Sequence, residues 1–215
     1  QLELQRLTET HAIRHIDALH ELLLFLGDLT REEIHARTQS QFVTSGDVDH
    51  WIDELLDAKR IIEIRIGEQV RFIAAEDAGR YRDALGVVPP LGLPEAFLGS
   101  VTDALADLVA RYARTHGPFH AEDVASRLGT GIGPIRTALA QLSAANRLLE
   151  GEFLPRSLVR HTHGATQRRE WCDAGVLKTL KRRSLAALRK QVEPVEQQAF
   201  ASFLVQWQQL NRKRR

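Results

Sequence analysis

Cysteine occurs once in the 215 residues, at Cys172, and methionine does not occur at all. A lone thiol excludes an internal disulfide framework and suits a reducing compartment, so a cytoplasmic location is expected. No apolar run approaches the roughly 20 residues that a membrane span needs. The strongest candidate, LHELLLFL at 19–26, is short and carries His20 and Glu21. No membrane partner is expected, and no signal peptide is visible. With Gln1 at the first position and no methionine anywhere, the chain is expected to be part of a longer protein. A further absence is local: no Asp or Glu stands between Ala174 and Val192.

That acid-free stretch lies inside the segment around which the chain is organised, Arg147 to Lys190. Two short apolar runs, Leu148-Leu149 and Phe153-Leu154 on one side and Trp171-Cys172 on the other, flank a polar, basic loop. The loop carries Arg156, Arg160, Arg168 and Arg169, and the helix expected after it carries Lys178, Lys181, Arg182, Arg183 and Arg189. Such a footprint suits a phosphate backbone. The formal net charge of +1 hides a split, because residues 1–100 hold 18 acids and 10 bases while residues 101–215 hold 10 acids and 19 bases. One half is therefore expected to meet a polyanion and the other protein or solvent.

Taken in order, residues 10–26 place Ile13, Ile16, Leu19, Leu23 and Leu26 at helical spacing, closed by Gly27. Thr30 and Glu33 form a capping box for a second helix. A third follows, with Asp47 or Ser45 as its cap and Trp51, Ile52, Leu55 and Leu56 on its apolar side. RIIEIRI and QVRFIAA alternate around Gly67-Glu68, a two-residue hairpin turn. Three helices and a hairpin make a winged helix-turn-helix unit over 1–86. A short helix, AEDAGRYRDALG, leads to a Pro- and Gly-rich linker at 87–99, extended rather than floppy.

The pattern then repeats. Residues 102–115 form a helix with Leu105, Leu108, Val109 and Tyr112 inward. PFHAEDVASRLG aligns with DLTREEIHAR, and GIGPIRTALAQLSAANRLLE with VDHWIDELLDAKRIIE. This second unit covers 100–172 and has a long basic wing, Pro155 to Arg169. Residues 173–215 supply a basic helix to about Gln191, capped by Asp173, and a last helix with Phe200, Phe203, Leu204 and Trp207 on one side. On the basic helix Val176, Leu177, Leu180, Ala187 and Leu188 share a face. The expected fold class is α+β, mainly helical with small hairpins: two tandem winged helix-turn-helix units plus C-terminal helices.

Chemistry beyond binding finds little support. GTGIGP at 129–134 precedes a helix but has Pro134 and Ile135 where a phosphate loop needs Lys and a hydroxyl, so it is a helix-turn-helix corner. His11, His15 and His20 stand at helical spacing without the Glu or Cys partners of a zinc site, and His161, His163 and Cys172 are weaker still. Cys172 is expected to be a half-buried structural residue. Asp47, Asp49, Asp53, Glu54 and Asp57 put negative charge on the third helix, which argues against that helix reading DNA. In the second unit Arg136, on the corresponding helix, joins the DNA-binding candidates. No catalytic and no metal-binding residue is assigned.

Longer strings now carry weight. DLVARYARTHGPFHAEDVASRLGTG, RLLEGEFLP, EWCDAGVLKTLKRRSLAALRKQVEPV and FLVQWQ, with ALHELLLFLGDLTREEI, EDAGRYRDALGV and LPEAFL before them, span almost the whole chain. They resemble the C-terminal extension of the large helicase-related (Lhr) family, EWCD and RRSLAALR most specifically. The resemblance implies a parent that is a bacterial superfamily 2 DNA helicase acting in DNA repair, its ATPase core, with ATP and Mg, lying upstream. It also implies similarity to tandem winged-helix proteins of a DNA-glycosylase family. The core's motifs are missing here and no glycosylase residue can be carried over. The expected function is binding of single-stranded or duplex DNA beside the helicase core of the same polypeptide. The alternatives are a protein-interaction module, with a homo-oligomer as partner, and part of a glycosylase-like repair domain whose active site lies elsewhere.

Overall fold

The computed structural model describes residues 1–38, 43–153, 169–191 and 196–208. The first motif runs α1 (Ile16–Leu26), α2 (Arg31–His35), α3 (Ser45–Asp57), β1 (Ile61–Ile66), β2 (Gln69–Ala74) and α4 (Ala78–Leu85). The second runs α5 (Ala104–Thr115), β3 (Phe119–His120), α6 (Ala121–Leu128), α7 (Ile132–Ala144), β4 (Leu148–Gly151) and β5 (Glu170–Asp173). Two helices follow, α8 (Ala174–Gln191) and α9 (Gln197–Trp207). The first hairpin lies where the alternation places it and the strands of the second lie at the two apolar runs that flank the basic loop, and the order is that of two winged helices in an α+β fold.

The repeat extends to backbone detail. Each third helix ends on a left-handed residue, Lys59 (φ 53) or Asn146 (φ 56), a frequent helix terminator. The next amide reaches back into the helix, Arg60 to the Leu55 carbonyl at 2.9 Å and Arg147 to the Leu142 carbonyl at 3.0 Å. β1 pairs with β2 through six residues each, around Gly67-Glu68. β5 lies between β3 and β4. The first motif has the counterpart of β3 as a single bridge, Leu29 to Phe72.

Two local expectations need correction. Residues 10–15 are not α-helical: a short 3-10 turn spans Glu9–His11, and Ile13 donates its amide to the Arg37 carbonyl at 2.9 Å. The helix starts after His15, whose ring accepts the Ala18 amide as its cap. Ile13 is buried, so its helical spacing reflects a place in the core and not in the helix. The cap of α3 is Thr44, not Asp47 or Ser45. Asp47 is the third residue of the box, its carboxylate accepting from the Thr44 amide. Thr30 and Glu33 form the expected box on α2.

Residues 1–177 form one compact unit, and 178–215 another. Within the first unit the Pro/Gly segment does not separate two cores. Ile61, Phe72 and Ala74 of the first hairpin pack into the core of α1 and α3. Ile62, Ile64, Ile66 and Ile73 pack instead with Leu108, Val109, Phe119, Val124 and Leu139 of the second motif. Full burial of each such isoleucine contributes about 1.5–3 kcal/mol, so the first wing is a wall of the second core. The segment at 87–99 is fastened to α4: Arg82 donates to the Leu98 carbonyl at 2.7 Å, and Gly79 lies so close to Gly99 that a Cβ there would stand 2.6 Å from its oxygen.

A buried charge network joins the two motifs. Asp28 receives Arg71, the Tyr81 hydroxyl at 2.9 Å and Arg127 Nε at 3.1 Å. Arg127, on α6, also donates to Glu33 of α2 at 2.5 and 2.9 Å. Burial alone would raise the Glu33 carboxyl, but Arg127 outweighs it and holds it below the ordinary range. In a low-dielectric setting these partners hold only as a set, because any one removed leaves an uncompensated charge.

Candidate nucleic-acid interface

The third helix of the second motif presents a face suited to close approach. Its exposed residues are Gly133, Pro134, Arg136, Thr137, Ala140, Gln141 and Ala144: small, polar or basic, with no acid. Gly131 caps α7 without a side-chain hydrogen bond, so the first turn is open. Arg136 is 67% exposed and stands 3.7 Å from Glu122 of α6. Behind this face Ile135, Ala138, Leu139 and Leu142 are buried, and they fix the helix's rotation.

The base of the second hairpin, β4 and β5, follows α7. Glu170 on β5 is buried and its carboxylate accepts the Phe153 amide at 2.6 Å, which sets the base of the hairpin. Arg169 projects from that base, 77% exposed, with Glu150 2.9 Å from its Nε. Arg156, Arg160, Arg168, His161 and His163 lie outside the described residues. Cys172, on β5, is fully buried rather than half-buried, and burial pushes its thiol up to about 11. A thiol that far from ionisation is a core residue and no nucleophile.

α8 begins with Asp173 accepting the Gly175 and Val176 amides at 2.8 and 3.1 Å, the cap read from the sequence. Val176 is buried in the first unit. From Lys178 onward the helix belongs to the second unit, where Lys178, Lys181, Arg182, Arg183 and Arg189 are all exposed. The apolar face expected there is not buried: Leu180 is 38% and Leu188 57% exposed. Phe200, Phe203 and Trp207 of α9 are likewise exposed, with Phe203 and Trp207 in ring contact at 5.6 Å.

The first motif offers a different surface. On α3, Asp49 accepts from Arg31 of α2 at 2.5 Å and from His35 at 3.1 Å, and Asp53 stands 4.0 Å from Arg31. The Arg31 guanidinium, with help from His35, holds the Asp49 carboxyl below its usual range. These acids stabilise the helix-turn-helix internally and leave its outer face negative. The tip of the first wing is also occupied. Gly129, the left-handed end of α6, comes so close that a Cβ there would lie 3.1 Å from Ile66 and 3.4 Å from the Gly67 amide.

Other groups singled out in the sequence have structural posts. His11 lies 2.9 Å from the Thr8 hydroxyl, His15 caps α1, and His20 stands 3.3 Å from Glu76. GTGIGP is the corner between α6 and α7 and does not fit a nucleotide phosphate, lacking the lysine and hydroxyl that ATP with Mg would need. Among the described residues no helix is long and apolar enough to cross a membrane.

Comparison with known proteins places this architecture. The family profile described as "Large helicase-related protein, winged-helix domain" matches residues 1–100. A Mycolicibacterium smegmatis protein named an Lhr helicase and probable uracil glycosylase is 42% identical over 206 residues, 96% of this chain and 13% of its own length. An Escherichia coli protein named an Lhr helicase and uracil glycosylase is 32% identical over the same share of this chain and 12% of its own. Identity this high, running through both motifs and into the helices after them, means that the chain belongs to the large helicase-related family.

Proposed function

We propose that the chain binds DNA through its second winged helix and the cationic helix that follows, within a longer ATP-dependent DNA helicase acting in DNA repair. The observation that carries this is the distribution of sign. Lys178, Lys181, Arg182, Arg183 and Arg189 are exposed on a helix with no acid between Ala174 and Val192, and α7 shows Arg136 on an acid-free face. A helix needing only solubility would mix signs, since Glu–Lys pairs four apart add a few tenths of a kcal/mol each. Lys178 and Arg182 instead repel one another, a local cost that a polyanion reverses. Both relatives are named helicases, which supports a nucleic-acid partner and an upstream core that supplies ATP and Mg chemistry.

Fluorescence anisotropy with labelled single-stranded and duplex DNA, titrated against salt, tests the reading. Lys178→Glu with Arg182→Glu should weaken binding at least tenfold, about 1.4 kcal/mol. Normal binding by that variant, with loss of self-association, would favour the interaction-module reading. The exposed Leu185, Leu188, Phe200, Phe203 and Trp207 are the observation behind that second reading.

A further inference from the structure

Between α4 and α5 the chain reads GVVPPLGLP over residues 86–94, a stretch without one polar or charged side chain. Both of its ends are fixed. Val87 packs against the core of the second motif, and Leu93 is buried in it. Lys59, at the end of α3, donates from Nζ to the Gly92 carbonyl at 3.0 Å. Val88, Pro90 and Leu91, between these anchors, do not follow them inward. Val88 is 89% and Leu91 97% exposed, the highest values for large apolar side chains among the described residues.

Proline sets the shape of this segment. Val88 and Pro89 each precede a proline, which disfavours the helical region for both. The rings of Pro89 and Pro90 hold φ near about −65°. Residues 88–91 are therefore extended in the polyproline manner and lose little freedom when bound. Their chemistry is equally narrow. Pro89 and Pro90 have no N–H to offer and no side chain forms hydrogen bonds, so the segment presents carbonyls in excess and needs donors opposite it. A single exposed leucine is ordinary on a protein surface, whereas two nearly bare apolar side chains on a pinned, uncharged segment mark a contact. Flat aromatic side chains with a donor at the edge, Trp or Tyr, fit such a segment.

We propose that residues 88–91 dock into a groove walled by Trp or Tyr on another domain of the same polypeptide. The occupant follows from length. The chain covers 13% and 12% of its two relatives, so most of such a polypeptide lies outside it. A tethered domain meets the segment at high effective concentration, which a contact of four residues needs, being far smaller than a stable interface between free proteins. Position fits as well. The segment joins the two winged helices and is tied to α3 through Lys59 and to α4 through Arg82, so a domain seated there is held in a fixed relation to both motifs. The proposal rests on the reading of the chain as part of a longer helicase.

The mass of the native protein on a denaturing gel tests that reading by itself, and a mass equal to this chain's own sinks both. The docking is tested in the intact polypeptide, with the photo-crosslinker p-benzoylphenylalanine in place of Leu91. Irradiation should give an adduct within one polypeptide, mapped by mass spectrometry to a segment beyond residues 1–215 that contains Trp or Tyr. Hydrogen exchange needs no crosslinker: the amides of Val88, Leu91 and Gly92 should exchange at least about tenfold more slowly in the intact polypeptide than in the chain alone. Val88→Ser with Leu91→Ser should remove that protection. The same pair should leave the Tm of the chain alone within about 2 °C, because both side chains are already exposed. Equal exchange in the two forms overturns the proposal. So does failure to form an adduct to the same polypeptide beyond residues 1–215, whether the crosslinker joins two copies, stays within the chain or joins nothing.

Discussion

The helices α3 and α7 hold the same station in two successive winged helices, and their outer faces are opposites. α3 turns Asp47, Asp53, Glu54 and Asp57 outward, ties Asp49 to Arg31, and is capped by a complete Thr44–Asp47 box. α7 turns out Arg136, Thr137 and Gln141 among glycine, proline and alanine, and its cap is a bare glycine. The inner faces are nearly interchangeable: Val48, Ile52 and Leu55 on one, Ile135, Leu139 and Leu142 on the other. Packing constrains the inner face of such a helix and leaves the outer face to function. The first motif has its wing built into the core of its neighbour, while α7 of the second keeps an exposed face without acids.

If the first motif is support, the two should not unfold separately, and the largest effect tests this. Asp28→Ala strands Arg71, which is 5% exposed, and removes a partner of Arg127. Breaking a buried pair in this way costs about 3 kcal/mol or more. For a unit of this size that lowers Tm by roughly 6–12 °C. Calorimetry should show residues 1–177 melting in one shifted transition. Two resolved transitions, with only one displaced, would break the picture of a shared core.

A smaller effect bears on the outer faces. Arg136→Ala with Gln141→Ala should weaken duplex binding about tenfold, close to 1.4 kcal/mol, with Tm unchanged because both side chains are exposed. Asp53→Asn with Glu54→Gln on α3 should leave affinity within about twofold. Anisotropy at fixed salt reads both. Equal losses from the two helices would mean that both motifs contact DNA.

Much of this contrast is legible in the chain itself. The third helices, both hairpins, the Gly67-Glu68 turn and the acidity of α3 follow from spacing and residue type, because each is a local property. The shared core is not local, yet it leaves a trace. Ile61-Ile62 and Phe72-Ile73-Ala74 are apolar on both faces, the mark of a strand buried on two sides, where alternation alone suggests a half-exposed wing. The Asp28–Arg127 network joins residues up to 99 positions apart, beyond any periodicity. Helix starts fail for a related reason: Ile13 sits at helical spacing but is drawn into the core by pairing with the Arg37 carbonyl.

The smallest effect separates folding from function at one atom group. Gly131 is the N-cap of α7 with φ −68 and ψ 152, a conformation open to any residue, and a Cβ there would meet only Pro134 Cδ at 3.8 Å. An aspartate fits, and its carboxylate can accept one of the amides of the first turn that glycine leaves unbonded. Replacing a glycine cap in this way gains only a few tenths of a kcal/mol, so Gly131→Asp should raise Tm slightly. The same carboxylate occupies the amides and adds negative charge at the edge of the face where phosphate is expected. DNA affinity should therefore fall about two- to threefold, with a steeper loss at low salt, where screening is weakest. The Thr44 box on α3 already has such a carboxylate in Asp47, and Thr44→Ala should cost about 1 kcal/mol of stability without moving affinity. If Gly131→Asp stabilises the fold and leaves affinity intact at low salt, the open cap of α7 lies away from the DNA, and Arg136 must reach phosphate from the middle of the helix alone.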